Sequence, residues 1–151
     1  MANITKPMIV PASHTSSQPL EQFENPNRGN CTWHTIFSQP QTPTDSMCSG
    51  IGTCQPRNGR LCPHRHKQAE IYYIISGKGI VRIDEKNYEV EAGSSVFIPG
   101  DAEHGVFNLG EEDLKWFYVF PTGAFKDILY RFSDEVEGKA LPTVAQLKAK
   151  L

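Results

Sequence analysis

The sequence predicts an all-β domain, built as an antiparallel sandwich or barrel. Twelve glycines and eleven prolines among 151 residues indicate many turns and short elements. Over residues 50–120, short apolar runs recur at intervals of roughly ten residues with turn-forming residues between them, as in such folds. A continuous helix over residues 70–120 would have to accommodate six glycines and a proline, which excludes it.

Six strands are predicted from runs of β-branched and aromatic residues. In chain order they are Ile71–Ile75, Ile80–Ile83, Tyr88–Val90, Ser94–Ile98, Val106–Phe107 and Leu114–Phe120. Gly77-Lys78-Gly79 and Pro99-Gly100 provide the clearest turns between them, because glycine and proline favour the backbone angles that turns require.

The ends of the chain are less regular than this middle. The first 43 residues are rich in Pro, Ser, Thr, Asn and Gln, which predicts an extended arm with one short strand around Thr32–Phe37. Near the other end, apolar residues recur at helical spacing and predict a short helical tail; they are Val144, Leu147 and Leu151.

These observations predict a single domain over residues 1–151. A chain of 16.9 kDa has the size of one ordinary domain. We expect its barrel core at about residues 50–122, between the arm over residues 1–43 and the tail over residues 142–151.

Charge and hydropathy limit the classes of partner and the location. Fifteen Lys and Arg against seventeen Asp and Glu give a net charge of −2, with no basic run interleaved with aromatics, so we expect no nucleic-acid partner. The apolar runs fall far short of the roughly 20 residues of a membrane span, so no membrane partner is expected. No secretion signal is visible at the N-terminus, which predicts a cytoplasmic protein.

The cysteines add little to this assignment. Cys31, Cys48, Cys54 and Cys62 form no C-x-x-C pair, so neither a zinc ribbon nor a thioredoxin-type motif is present. Without a secretion signal, reduced thiols are the default expectation.

A cluster of histidines precedes the first of the six strands. On an extended segment His64 and His66 point the same way, and Glu70 has the same parity. His104 follows the Pro99-Gly100 turn, which could return the chain to the same place. Such a set would bind one divalent transition metal, Fe, Mn, Ni, Zn or Cu; taken alone, H-x-H is as often a pair of surface histidines.

The spacing of these residues resembles the two motifs of the cupin family. Gly59-(x4)-His64-x-His66-(x3)-Glu70-(x6)-Gly77 resembles the first motif, and Gly93-(x5)-Pro99 with His104-(x3)-Asn108 resembles the second. The first glycine lies one residue closer to His64 than is usual, and Asp101 replaces a glycine, so the turns should differ in detail. The resemblance implies a cupin-type double-stranded β-helix, or jelly-roll barrel, with His64, His66, Glu70 and His104 as metal ligands.

Strand parity also singles out a tyrosine. Tyr72 should point to the same face as Glu70, and Tyr73 should point outward. One hypothesis makes Tyr72 a general base, because a nearby cation favours the phenolate of a group whose pKa is about 10 in water. The alternative is a packed aromatic of the barrel core.

A finer resemblance is to the compact cupin-type dimethylsulfoniopropionate lyases. It depends on the segments AEIYYIISGKGI, IPGDAEH and WFYVFPTGAF…DILY. The resemblance implies that Tyr72 removes a proton alpha to a carboxylate, with Tyr130 as a second tyrosine, and that dimethyl sulfide and acrylate are released. It also implies a homodimer acting on a small molecule.

The last predicted strand supplies candidate substrate contacts. Trp116, Tyr118 and Phe120 share one face of it and could offer aromatic faces to a sulfonium cation, although ordinary core packing is the alternative. Dehydratase or isomerase chemistry on a small carboxylate or carbonyl compound would fit the same site. Two other functions also stay open at this point. One is an Fe(II) dioxygenase, which would consume oxygen, and the other is a non-catalytic cupin that binds a small ligand.

Overall fold

A computed structural model describes residues 5–149, and most of its regular structure is β. The strands are β1 (Glu21–Gln22), β2 (Thr32–Phe37), β3 (Cys48–Cys54), β4 (Gly59–Arg65), β5 (Glu70–Ser76), β6 (Lys78–Ile83), β7 (Lys86–Glu91), β8 (Ser95–Ile98), β9 (His104–Asn108), β10 (Leu114–Phe120) and β11 (Arg131–Phe132). The α-helices are α1 (Ser13–Ser17), α2 (Ser133–Glu137) and α3 (Val144–Lys148), and short 3-10 turns cover Pro26–Arg28 and Phe125–Asp127. None of the described helices is long and apolar enough to cross a membrane.

The strands form two antiparallel sheets. Six strands pair in the order β1-β2-β3-β10-β5-β8, and five pair in the order β11-β4-β9-β6-β7. Along β5 the side chains alternate, with Tyr72 and Ile74 buried and Tyr73 and Ile75 exposed. This alternation buries one face of β5 between the sheets, as expected when a sheet packs on a core with one side only. The predicted all-β jelly-roll class is confirmed.

All six predicted strands are present, with boundaries shifted by two residues or fewer. Strand β3 was not predicted, because its sequence, CSGIGTC, lacks the bulky residues that mark a strand. It is nevertheless a central strand, paired with β2 on one side and β10 on the other.

The arm is part of the six-stranded sheet. Its predicted strand is confirmed over Thr32–Phe37, as β2. The two-residue strand β1 pairs with it, and the Glu21 carboxylate accepts hydrogen bonds from the Thr35 backbone N–H and hydroxyl at 2.7 and 3.0 Å. The expectation of four reduced thiols is wrong for two of them, because Cys31 and Cys54 form a disulfide between the start of β2 and the end of β3.

The helical tail is present as α3. Thr143 caps it and exchanges two hydrogen bonds with Gln146, in a capping box. Leu147 is buried, whereas Val144 is exposed, and the predicted contribution of Leu151 lies outside the described residues.

Candidate metal centre

Three buried imidazoles converge between the sheets. His64 lies near the end of β4, His66 follows that strand, and His104 begins β9. The pairing of β4 with β9 sets His64 opposite His104, and ligand atoms of the three side chains lie within 4.8 Å of one another. Each of these residues is at most 1% exposed.

A bulge in β4 gives the imidazoles of this strand their direction. Leu61 pairs with Val106 and His64 with His104, so three steps along β4 match two along β9. Leu61 and His64 can therefore both face inward although they are three positions apart, a spacing that puts residues of a regular strand on opposite faces. Beyond the bulge, His66 keeps the same inward face as His64, as the sequence predicted.

Backbone carbonyls fix the orientation of all three rings. Each Nδ1 lies within hydrogen-bond distance of a main-chain oxygen two residues away. The pairs are His64 with Cys62 at 2.8 Å, His66 with Gln68 at 2.9 Å and His104 with Ala102 at 2.9 Å. A carbonyl oxygen only accepts, so each Nδ1 carries a hydrogen and each neutral imidazole has its lone pair on Nε2.

The Nε2 atoms are short of partners. Those of His64 and His66 are buried and make no hydrogen bond. Burial, reinforced by the neighbouring His104, lowers the pKa of His64 well below its ordinary value, so this imidazole is neutral at pH 7. A buried neutral imidazole with an unpartnered nitrogen has the protonation state that a transition metal requires of its ligand.

Glu70 completes the donor set from the other sheet. It begins β5, is 4% exposed, and places Oε2 3.2 Å from Nε2 of His104 and 3.3 Å from Nε2 of His66. Burial would raise the pKa of this carboxyl, but the adjacent His104 and His66 side chains outweigh burial and leave it below its ordinary value. An ionised carboxylate facing imidazole lone pairs at this range needs a proton or a cation between them, so the four residues fit a divalent metal.

Two phenols lie beside this cluster. Tyr72 points inward from β5 and is 1% exposed, while the neighbouring Tyr73 is 50% exposed, as strand parity predicted. The ring of Tyr130, just before β11, lies 4.8 Å from that of His64 and 5.5 Å from that of His66. Burial, followed by the negative charge of Glu70, raises the pKa of both phenols well above the ordinary value.

An aromatic cavity of about 30 Å³ adjoins Glu70 and Tyr72. Trp116 and Tyr118 line it from the buried face of β10. Phe120 shares their buried face but is not on the cavity wall, because its ring packs edge-on against His66 at 5.2 Å.

Two glycines of β3 make room for these aromatic rings. A Cβ at Gly52 would come within 2.5 Å of the Trp116 ring, and one at Gly50 within 2.2 Å of the Tyr118 hydroxyl oxygen. The absence of side chains at both positions lets the aromatic groups of β10 lie directly over the neighbouring strand.

Three further aromatic residues of the cavity wall were missed by the sequence analysis. Phe23 and Trp33 come from the arm, and Phe125 comes from the 3-10 turn after β10. Trp33 could have been found, because it lies on the predicted strand Thr32–Phe37. Nothing in the sequence marks Phe23 or Phe125, whose positions depend on how distant segments pack. His14 and His34, which matched no motif, lie outside the imidazole cluster.

Comparison with known proteins agrees with this architecture. Residues 51–120 match the sequence family described as the cupin domain. The chain is 38% identical over 115 residues to the dimethylsulfoniopropionate lyase DddW of Ruegeria pomeroyi, which covers 76% of this chain and 74% of that protein.

Two solved structures share the fold at lower identity. The polyketide cyclase RemF from Streptomyces resistomycificus superposes with a TM-score of 0.68 at 20% identity, over 82% of this chain and 85% of that one. A predicted oxalate decarboxylase from Thermotoga maritima superposes with a TM-score of 0.65 at 23% identity, over 76% of this chain and 99% of that one.

Proposed function

The chain belongs to the cupin family, and on that premise we propose that it is a metal-dependent lyase acting on a small carboxylate substrate. Dimethylsulfoniopropionate, cleaved to dimethyl sulfide and acrylate, is the substrate we propose to test first. The observation that carries the proposal is the position of the buried Tyr72 phenol on the same strand face as Glu70, beside three buried imidazoles, two of which have an unpartnered nitrogen. The 38% identity to a lyase of this substrate supports the choice.

His64, His66, His104 and Glu70 would hold the metal. A divalent cation bound there would supply a Lewis acid for the substrate carboxylate and a positive charge that favours the phenolate of Tyr72. Tyr72 Oη then takes the proton from the carbon alpha to the carboxylate. The electron pair of that bond forms the new carbon–carbon double bond, the bond from the beta carbon to sulfur breaks, and its electron pair leaves with dimethyl sulfide.

The remaining residues orient the substrate and exclude water. Trp116 and Tyr118 present aromatic faces within the cavity and suit a sulfonium cation. Tyr130 offers a second phenol beside His64. A cavity of about 30 Å³ holds little more than one water, so substrate must displace part of the wall before it binds. The partly buried aromatic residues of the wall, Phe23, Trp33, Phe125 and Tyr130, are those we expect to move.

Replacing Tyr72 by phenylalanine tests the proposed base. The Tyr72→Phe variant should keep its fold and metal but lose about 10²- to 10⁴-fold in turnover, because only the hydroxyl is removed. Tyr73→Phe is the matched control, since its hydroxyl points away from the site. The measurement is dimethyl sulfide release under anaerobic conditions, on protein of known metal content.

The outcomes separate the candidate functions. Anaerobic release that depends on Tyr72 but not on Tyr73 supports the lyase. Unchanged release of dimethyl sulfide in Tyr72→Phe would show that Tyr72 is a packed residue of the barrel core and not the base. If no dimethyl sulfide is released but oxygen is consumed with other substrates, the protein is a dioxygenase and not a lyase. If neither activity is found, the protein binds a small ligand without catalysis.

Three further expectations belong to this proposal. We propose that residues 1–151 act as one domain, supported by the pairing of arm strands with the barrel sheet. We also propose a homodimer, supported by the resemblance to the cupin family. The cytoplasmic location stays a prediction, and it must be reconciled with the disulfide between Cys31 and Cys54, a bond that forms mainly in oxidising compartments.

A further inference from the structure

A cysteine lies on the wall of the aromatic cavity. Of the four cysteines, all of them among the described residues, only Cys31 lines this cavity, and it is 3% exposed. Its disulfide partner, Cys54, is fully buried at the end of β3 and does not line the cavity. Glu70 and Tyr72 are part of the same wall, so Cys31 belongs to the cavity in which the proposed reaction takes place.

The other two cysteines are kept away from this cavity. Cys48 and Cys62 are free thiols, both fully buried, and neither lines the wall. Burial raises the pKa of both thiols, that of Cys48 to about 11, so both stay protonated at neutral pH. Since the thiolate is the reactive form of cysteine, these two residues are poor nucleophiles. Any thiol chemistry in the cavity would therefore take place at Cys31.

The disulfide removes this nucleophile from the wall. Neither sulfur of the Cys31–Cys54 bond can form a thiolate while the bond is intact. Reduction by a dithiol would give two thiols, with the oxidised dithiol as the other product. The wall has no lysine or histidine, so a free Cys31 thiol would be its strongest nucleophile.

The product of the proposed reaction is an electrophile for such a thiol. A β-elimination leaves a carboxylate conjugated to a carbon–carbon double bond, and the β carbon of such a compound reacts with thiolates. The product forms inside the cavity, where proximity raises its effective concentration far above that in solution. A free thiol at Cys31 would therefore meet the electrophile at every turnover.

We propose that Cys31 is a covalent modification site for α,β-unsaturated carboxylates and that its disulfide with Cys54 protects the cavity from them. The inference rests on the proposed function for the origin of the electrophile. In the modification, Sγ of the Cys31 thiolate bonds to the β carbon, the π electrons of the double bond move to the α carbon, and that carbon takes a proton from water. The carboxylate is unchanged, and no electron acceptor is needed.

The modified side chain would block the cavity. The cavity of about 30 Å³ has room for little more than one water, and the added carboxyethyl group is larger than a water molecule. Substrate could then no longer bind beside Glu70 and Tyr72. Resistance of the protein to its own product would therefore depend on the redox state of one disulfide.

Two single substitutions provide the test, because they break the same disulfide and leave different thiols. Cys54→Ala leaves the Cys31 thiol on the cavity wall, and Cys31→Ala leaves the Cys54 thiol away from it. The loss of the cross-link is common to both variants. Each metal-loaded protein is incubated with acrylate at a pH of about 8.5, the ordinary pKa of a thiol. Mass spectrometry of proteolytic peptides then locates the adducts.

We expect one acrylate adduct on Cys31 in Cys54→Ala, formed at least about tenfold faster than any adduct in Cys31→Ala. Propionate, the saturated analogue, should slow this reaction because it occupies the same cavity without forming a bond. Cys48 in the same molecules is the internal control, since unfolding would expose it together with Cys31.

Wild type supplies a second comparison that requires no substitution. The oxidised protein should gain no adduct. Protein reduced by a dithiol, which is then removed by anaerobic desalting, should gain an adduct at Cys31. This pair keeps the test informative if either variant folds poorly.

Three results would overturn the inference: equal adduct rates in the two variants, labelling of Cys48 as fast as that of Cys31, or a rate that propionate does not change. Because acrylate is added from outside, the test needs no turnover. Selective labelling of Cys31 in a protein without lyase activity would support the modification site and remove only the proposed origin of the electrophile. Lyase activity without labelling of Cys31 would overturn this inference alone.

Discussion

His104 is the only candidate imidazole ligand that β9 contributes, whereas His64 and His66 both come from the end of β4. Its loss would leave the donor set without a ligand from β9. The His104→Ala variant should therefore bind metal at least about 100-fold more weakly, because one nitrogen ligand disappears and Glu70 loses the imidazole nitrogen that lies 3.2 Å from its carboxylate. Elemental analysis and competition with a chelator measure the change.

His34→Ala provides the control for that substitution. His34 lies on β2, outside the imidazole cluster, so its removal should leave metal content unchanged. Full metal occupancy in His104→Ala would remove this residue from the ligand set.

Cys48 makes the stability of the protein sensitive to alkaline pH. Burial, followed by the charges of Asp127 and Glu70, raises the pKa of this thiol to about 11. Between pH 9 and 11 the unfolded chain has released the proton while the folded chain still holds it, so the free energy of unfolding falls as pH rises. The Cys48→Ala variant should lose less stability across this range, by up to about 1.4 kcal/mol per pH unit.

Urea titrations at a series of pH values measure this difference. The buried phenols also make the free energy of unfolding fall with pH, because their pKa values are raised as well. The test therefore compares the slope of the free energy of unfolding against pH in wild type with that in Cys48→Ala. A wild-type slope equal to that of Cys48→Ala would show that the thiol does not titrate as described.

At the scale of elements, Arg65 joins the segments that carry the candidate ligands. It stands between His64 and His66 but points outward. Its guanidinium donates to the Asp101 carbonyl at 2.8 Å and to the Glu137 carboxylate at 3.1 Å, and lies 3.8 Å from the Glu103 carboxylate. It therefore links the end of β4 to α2 and to the turn that leads into His104.

Removing this link should loosen the metal centre without removing a ligand. We expect Arg65→Ala to release metal about 10- to 100-fold faster, because the two ligand segments are no longer tied on their outer side. Arg65→Lys should recover part of the effect, and Arg57→Ala, which breaks only an exposed pair with Glu111, should show none. Release is followed with a chromogenic chelator, and unchanged release in Arg65→Ala would contradict the link.

Strands differ in how far their sequence reveals them. Ile71–Ile75 could be predicted because bulky β-branched and aromatic residues stand between turn residues. Strand β3 could not, since Gly50 and Gly52 favour no strand and are present to make room for aromatic rings of β10. A glycine whose role is to leave room for a neighbouring ring carries no sequence pattern that marks a strand.

At the scale of the whole molecule, the arm closes the aromatic cavity. Phe23 and Trp33 line its wall, and the Cys31–Cys54 disulfide holds the start of β2 against β3 across a separation of 23 residues. The free energy of unfolding should fall by about 3 kcal/mol in the Cys31→Ala, Cys54→Ala double variant, because a closed loop of this length restricts the unfolded chain.

Unfolding in urea measures that loss, and alkylation without a reductant provides an independent check. The wild-type protein should present two alkylatable thiols after denaturation, Cys48 and Cys62. Four alkylated cysteines, or equal stability of the variant and wild type, would exclude the disulfide as a stabilising bond.

The candidate ligands and the cavity wall were not equally predictable. His64, His66, Glu70 and His104 could be named because their spacing follows strand parity and resembles a family motif. The wall residues from the arm could not, because no local pattern pairs residue 33 with residue 52 or brings residue 23 beside residue 130. Such contacts follow from the packing of distant segments, which a single sequence does not encode in any one place.

The single residue between His64 and His66 makes the site depend on chain length as well as on residue identity. Deleting Arg65 would make the two imidazoles neighbours on the chain, and strand alternation would then turn one of them toward solvent, with every ligand still in the chain. Insertions and deletions that the surface turns of this protein would tolerate should therefore abolish metal binding here. In this short segment, a shift of one residue decides whether the candidate ligands can face the same point.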